Sequence, residues 1–342
     1  MIHNTNIYKT FIRPLLFLLE PEKAQSFADY FLRRSWIWES ISPMFSVNDR
    51  RLETDLCGIK LKNPIGLAAG YDKNCEMLSS FSSLGFGYVS GGTVVASPQP
   101  GNPKPRIVRY TKDDSLINSL GFPSRGIEYV RTQLETQKQR CQVPIVVSIS
   151  GTEISTILDC LRNIEHLSDA IELNISSPNT SGLKIFQTTK ELTVLLQHVN
   201  ATRSKPLFVK LPPYSSSENM SLSETRDRVL SLVQVCKTNG VDALTVANSQ
   251  PNKERKLAVG MGGISGRLIF DKTIEMISDV RREVGQNIAI NASGGIFDGR
   301  DALQALNAGA STVQILTALV YRGPGIARSI NSELLSEIGK NE

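Results

Sequence analysis

No run of 18 apolar residues occurs anywhere in the 342-residue chain, so no segment reads as a membrane-spanning helix. The N-terminus also lacks the apolar core and small-residue cleavage site of a secretory signal. Only three histidines are present, His3, His166 and His198, two of them inside helix-like segments. A histidine-based metal site or catalytic dyad is therefore unsupported, and surface or helix-packing roles suit these residues. The five cysteines, Cys57, Cys75, Cys141, Cys160 and Cys236, form no CxxC pair. That pattern supports neither a zinc site nor a disulfide framework and fits a reducing compartment. Lys plus Arg number 38 against 33 Asp plus Glu, without a run of five like charges, which argues against a nucleic-acid partner. With 40% hydrophobic and 21% charged residues the composition is that of a soluble globular protein, long enough for one large barrel or two ordinary domains.

Residues 1 to 45 hold nine of the 22 aromatic residues, including Trp36 and Trp38. Pro14 and Pro21 stand where helices start. After Pro21 the residues Ala24, Phe27, Ala28, Phe31 and Leu32 follow helical spacing, and Arg33 and Arg34 end the stripe. Two readings fit: a helical hairpin packed on its own domain, or an amphipathic surface dipping into a bilayer.

From residue 64 onward short apolar runs alternate with helix-like segments. Strands are expected at 64–69, 87–93, 143–149, 170–175, 206–211, 241–247, 287–292 and 311–316. Eight such units imply a closed (β/α)8 barrel, with an open doubly wound sheet as the competing architecture. Before them, residues 51–62 alternate on both sides of Cys57-Gly58 and read as a hairpin closing the barrel floor.

In such a barrel the site lies at the C-terminal strand ends. The polar residues there are Asp72, Lys73, Thr93, Ser148, Asn174 through Asn179, Lys210, Asn248, Ser249, Ser293, Gly294, Gly295 and Thr317. The stretch IELNISSPNTSG (171–182) packs six short polar side chains around Pro178, more than chain reversal needs. Two lysines with amides and hydroxyls, and no nucleophile–histidine pair, suit a planar anionic heterocycle better than hydrolysis. The glycine-rich runs at 260–266 and 293–295 suit a phosphate held on backbone N–H groups.

The stretches NPIGLAAGYDKN (63–74), GTVVASPQPGNPKPR (92–106), LINSLGF (116–122), NISSPNTSGL (174–183), GGISGR (262–267) and GGI (294–296) occur in the order seen in dihydroorotate dehydrogenases. The chain resembles the quinone-dependent, membrane-associated class of that family, through its N-terminal FIRPLLFLLEPEKAQSFADYFLRR and a serine, Ser177, where the soluble class has cysteine.

The resemblance implies FMN as cofactor, dihydroorotate and orotate as substrate and product, and a membrane quinone as electron acceptor. It also implies a peripheral monomer on the cytoplasmic face of a bacterial cell membrane. Residues 1–45 would form the membrane and quinone-access segment and residues 46–342 the FMN barrel. Ser177 matches the catalytic base, with Thr180 and a water near Phe122 as relay. Lys73, Asn118, Ser119, Leu120, Gly121, Phe122, Asn174, Asn179, Asn248 and Ser249 match substrate positions. Ala69, Gly70, Tyr71, Asp72, Lys73, Thr93, Ser148, Asn174, Lys210, Ala247, Gly263, Gly295, Leu316 and Thr317 match cofactor positions, with Lys210 at the electron-rich edge of the ring.

Three positions depart from the family pattern. Ser148 stands for an Asn, Ala247 for a Thr and Leu316-Thr317 for a Tyr-Ser pair. The family's Glu-Arg-Ala-His stretch reads PEKAQ, without the histidine. Each lost neutral hydrogen bond weakens FMN binding by about 1 kcal/mol. The alternatives to the resemblance are a related flavin enzyme acting on another dihydropyrimidine-like ring and a non-catalytic flavin- or membrane-binding protein. Ser177, Lys73 and Lys210 together argue against the last, since a binding module needs no base.

Overall fold

The computed structural model describes residues 7–176, 182–216 and 220–340. Strands β1 (Thr54–Leu56) and β2 (Ile59–Leu61) form a hairpin, and β3 (Ile65–Leu67) and β4 (Tyr88–Val94) open the barrel. The chain leaves it for β5 (Ile107–Tyr110) and β6 (Ser115–Asn118), then returns for β7 (Ile145–Ile149), β8 (Ala170–Asn174), β9 (Leu207–Lys210) and β10 (Ala243–Val246). It leaves again for β11 (Gln250–Lys253) and β12 (Met261–Gly266), and β13 (Ala289–Ser293) and β14 (Thr312–Ile315) complete the circle. Eight parallel strands close in chain order, β14 pairing with β3, so the (β/α)8 expectation holds and the open sheet does not.

Each barrel strand falls on an expected run, its ends differing from the expected bounds by at most two residues. Prolines explain several starts, because a residue without an N–H cannot donate to the ladder although its carbonyl still accepts. Pro64, Pro144 and Pro206 do this, accepting from Val313, Val89 and Ile171.

The expected floor hairpin is present. Cys57 and Gly58, at φ 56° and 84°, supply the two left-handed residues of a tight turn, and the Asp55 carboxylate accepts from the Gly58 amide at 2.8 Å. Leu56 and Leu61 seal the bottom against Tyr88, Val146, Ala170, Phe208 and Ala243. Above them the Tyr88 ring crosses the barrel interior. A Cβ added to Gly66 would lie 2.2 Å from that ring, so only glycine fits there.

Two features of the mouth go beyond the sequence reading. The excursions β5, β6, β11 and β12 pair into one antiparallel sheet in the order β11-β12-β6-β5. The glycine-rich run at 260–266 is thus mostly strand, not a turn. The N-terminal segment is a succession of helices: a π-helical turn Tyr8–Ile12, then α1 (Arg13–Leu18), α2 (Pro21–Leu32) and α3 (Ser35–Ile41).

These helices dock on the mouth. The Tyr8 hydroxyl donates to Val320 O at 2.8 Å, Phe17 meets Tyr321 edge-on at 5.4 Å, and Arg109 donates to Leu19 O at 2.8 Å. Arg33 is ion-paired with Glu76 at 2.7 Å and Arg34 stacks on Tyr30, so the basic end of the stripe is already engaged by protein. Among the described residues no helix is long and apolar enough to cross a membrane.

Candidate active site

Parallel strands aim their last residues at one rim, and there the polar side chains form a continuous hydrogen-bonded chain. Thr93 Oγ1 lies 3.1 Å from Ser148 Oγ, and Asn174 Nδ2 donates to Thr93 Oγ1 at 3.0 Å. Ser176 Oγ donates to Asn174 Oδ1 at 2.8 Å, and Asn248 Nδ2 donates to Ser176 Oγ at 2.9 Å. The Asn174 amide is thereby fixed in orientation, one atom serving as donor and the other as acceptor. Lys210, in register with Asn174, is buried beside it.

The loop after β3 is equally determined. The Asp72 carboxylate accepts from the amides of Glu76 at 2.9 Å and Met77 at 2.7 Å, and burial pushes it up to about 6 against those two bonds. Asp72 therefore shapes the loop rather than facing the cavity. Lys73 donates to Gly70 O at 2.5 Å, and burial brings its ammonium down to about 8. Tyr71 packs edge-on against Phe81.

Residues 118–122 wrap the other side. Gln99 Nε2 donates to Phe122 O at 2.8 Å and Asn102 Nδ2 to Ser119 O at 2.9 Å. Phe122 is held at φ 52°, a left-handed conformation that a bulky residue adopts only when its surroundings impose it. Across the mouth Gly294 and Gly295 have φ 144° and 76°, and a Cβ on Gly295 would strike Phe270 backbone at 2.7 Å. Thr317 Oγ1 donates to Ser265 Oγ at 2.9 Å.

A cavity of about 660 Å³ joins these parts. Of the residues expected at the site, Ala69, Gly70, Tyr71, Lys73, Thr93, Asn118, Leu120, Gly121, Phe122, Asn174, Lys210, Ala247, Asn248, Ser249, Gly295, Leu316 and Thr317 line it. Asp72, Ser119, Ser148 and Gly263 stand behind that lining: Ser148 supports Thr93, and Gly263 pairs with Asn118 in the antiparallel sheet. Ser177, Asn179 and Thr180 lie outside the described residues.

The cavity also takes in Ser265 and Gly266 of the glycine-rich run, and Gln314, Arg109 and Tyr8, which sequence reasoning did not single out for this site. Gln314 is the informative omission. It is enclosed, and neither atom of its amide has a hydrogen-bond partner among the described residues. Its one sequence signal is a polar residue inside a strand that is otherwise buried. An unpaired amide, a buried lysine and an oriented Asn174 on one wall fit a planar ring with polar edges. The glycine turn beside Thr317 fits the close approach of a phosphate.

The cavity extends from the strand ends to Phe17, Ala24, Phe27, Ala28, Phe31 and Trp38, so α2 walls its outer half. Its chemistry changes along that length, from amides and ammonium groups to aliphatic and aromatic side chains.

The chain and its fold are shared with known proteins. Residues 51–338 match the family model described as dihydroorotate dehydrogenase. The chain is 33% identical to the dihydroorotate dehydrogenase (quinone) of Christiangramia forsetii, over 97% of this chain and 99% of that protein. It is 34% identical to the protein of the same name from Bartonella henselae, over 96% and 91%. Among solved structures it superposes on the Eimeria tenella enzyme in complex with ferulenol with a TM-score of 0.83, at 27% identity, covering 96% of this chain and 95% of that one. The ligand-free Eimeria tenella form gives 0.81 at 30% identity, over 94% and 96%.

Proposed function

The chain belongs to the dihydroorotate dehydrogenase family, and on that premise we propose that it oxidises dihydroorotate to orotate with FMN and delivers the electrons to a membrane quinone, in pyrimidine biosynthesis. The observation that carries this reading is the single cavity, polar at the strand ends and apolar between the N-terminal helices, which gives one compartment to a small anionic ring and the other to a hydrophobic acceptor.

When bound, FMN supplies a two-electron sink, and the residues of the chain do the rest. Ser177 takes a proton from the substrate carbon next to the one that loses hydride. Asn174, Asn179 and Asn248 hold the pyrimidine, with Asn174 pre-aligned by Thr93 and Ser176. Lys73 offers a positive charge at the substrate side. Lys210 offers a second at the ring edge where negative charge accumulates, in a buried setting where such charges act strongly. Ser148 in place of an amide leaves its support to Thr93 alone.

Residues 1–45 act as the access segment and 46–342 as the FMN barrel. The exposed apolar surface of the first supports peripheral attachment to a membrane, and a monomer at the cytoplasmic face completes this reading. The test is a visible spectrum of the purified protein before and after anaerobic dihydroorotate, followed by addition of quinone. Bleaching, then recovery on quinone, is expected. A yellow protein that does not bleach would overturn the substrate, and one that bleaches but recovers only with a soluble dye would overturn the acceptor.

A further inference from the structure

Helix α2 carries two carboxylates seven residues apart, Glu22 and Asp29, and a separation of about two turns puts both on one face. Glu22 is ion-paired with Arg106 at 2.9 Å, which fixes that face toward the loop after β4. Asp29, farther along, is largely enclosed. Its Oδ1 has no hydrogen-bond partner among the described residues. An enclosed carboxylate oxygen without a donor is unfavourable unless a charge compensates it.

The charged groups around Asp29 are Arg33 at the end of its own helix, and Lys73, Asp72 and Glu76 from the loop after β3. Arg33 is spent on Glu76 at 2.7 Å and is more than half exposed. Lys73 is enclosed in the cavity wall, its ammonium on the Gly70 carbonyl. The remaining opposite pair is Asp29 and Lys73, one from the N-terminal helices and one from the candidate site.

We propose that Asp29 is a positioning residue of the barrel-mouth site, the counter-charge that keeps Lys73 an ammonium facing the cavity, so that α2 completes the site as well as covering it. The inference rests on the reading of the mouth as the dihydroorotate site. Burial is the main influence on both groups, lowering Lys73 to about 8 and raising Asp29 to about 6. Asp29 is the first of the charges that hold the Lys73 proton on, followed by Asp72 and Glu22, while Arg106 opposes them. The Asp29 carboxyl feels Arg33 first, then Lys73, with Glu76 opposing and the Tyr71 hydroxyl favouring the charged form least. Both members of the pair are charged between about pH 6 and 8. Below that window Asp29 is neutral and gives Lys73 no support.

Orotate binding to the full-length holoenzyme, followed by calorimetry from pH 5.5 to 9, tests this without turnover. Asp29→Asn should leave affinity unchanged at the acid end and weaken it about threefold to tenfold at the alkaline end, the loss that follows from moving the Lys73 titration down by about half to one pH unit. Asp29→Glu should restore most of it. The alkaline limb of cofactor reduction by dihydroorotate should move down in the same variant. A profile for Asp29→Asn that superimposes on the parent overturns the proposal, and so does an equal loss at every pH, which marks a merely structural residue. Asp29→Ser, read in the same way, serves if Asn disturbs the fold. A parent protein that binds no orotate at any pH would instead sink the functional reading, which separates the two failures.

Discussion

Asn248 donates its amide to the Ser176 hydroxyl at 2.9 Å, which ties the end of β10 to the segment that follows β8. Ser176 in turn bonds Asn174, so one hydroxyl orients two amides of the site. Ser176→Ala should therefore weaken orotate binding about fivefold, the effect of one neutral hydrogen bond near 1 kcal/mol, without loss of bound flavin. Calorimetry with orotate and the flavin-to-protein absorbance ratio check both halves. An unchanged orotate affinity would mean that the chain is packing and not recognition.

Ser177→Ala should keep FMN and orotate but slow reduction by dihydroorotate about a hundredfold to ten-thousandfold, the usual worth of a general base. Ser177→Cys should retain more activity and move the pH profile down, because a thiol ionises more readily than a hydroxyl. Anaerobic stopped-flow reduction measures both, and a parental rate in the alanine variant would refute the assignment.

The two lysines are expected to divide their work. Lys210→Ala should lower flavin content or the rate of its reduction, since this buried ammonium lies beside the Asn174 end of the mouth. Lys73→Ala should chiefly weaken orotate, because its ammonium sits on the loop that approaches the substrate side. Equal loss of flavin from both variants would show the division to be wrong.

Burial of Asp29 has a signed consequence for stability. Its carboxyl is raised from 3.8 to about 6 in the folded protein, so the folded state holds that proton more tightly than the unfolded chain. The associated stability is present below the ordinary carboxylate range and is lost as pH rises through about 6. Asp29→Asn does not titrate, so its melting temperature relative to the parent should rise between pH 5 and 7.5. Asp72 has the same sign, and because the Asp29 charge adds to its upward shift, Asp29→Asn eases that titration too, in the same direction. A melting difference independent of pH would mean that Asp29 is solvated.

The eight barrel strands were legible because each is a short apolar run bounded by turn residues. The antiparallel sheet was not, since β5 is only half-buried and β12 reads MGGISG, where glycines mimic a turn. At the site, most of the residues expected from the family motifs line one cavity, whereas Asp72, Ser119, Ser148 and Gly263 stand behind that lining and Ser177 and Asn179 lie outside the described residues. Asp29 was hidden for a physical reason: between Ala28 and Tyr30 in an amphipathic stripe it resembles a solvent-facing acid, and only the docking of α2 encloses it. Gln314 was hidden by its apolar neighbours in β14.

The N-terminal helices present two distinct apolar surfaces, and they make separable predictions. Phe27 and Phe31 line the cavity, while Phe11, Leu15 and Trp36 lie outside its lining and are 66%, 68% and 64% exposed. Large exposed apolar side chains of this kind mark a surface meant for another apolar phase, and among the described residues no helix is long and apolar enough to cross one. Changing Phe11, Leu15 and Trp36 together to serine removes no cavity contact. That variant should keep its flavin, its reduction by dihydroorotate and its turnover with a small soluble dye. It should lose flotation with vesicles of anionic phospholipid and, with that, turnover of a long-tailed quinone dissolved in them. Phe27→Glu should do the converse: vesicle binding persists, dye turnover persists, and quinone turnover falls because a charge now stands in the apolar half of the cavity. Parental quinone turnover in the triple-serine variant would mean that this face is not the membrane contact. Parental turnover in Phe27→Glu would mean that the acceptor reaches the flavin by another path.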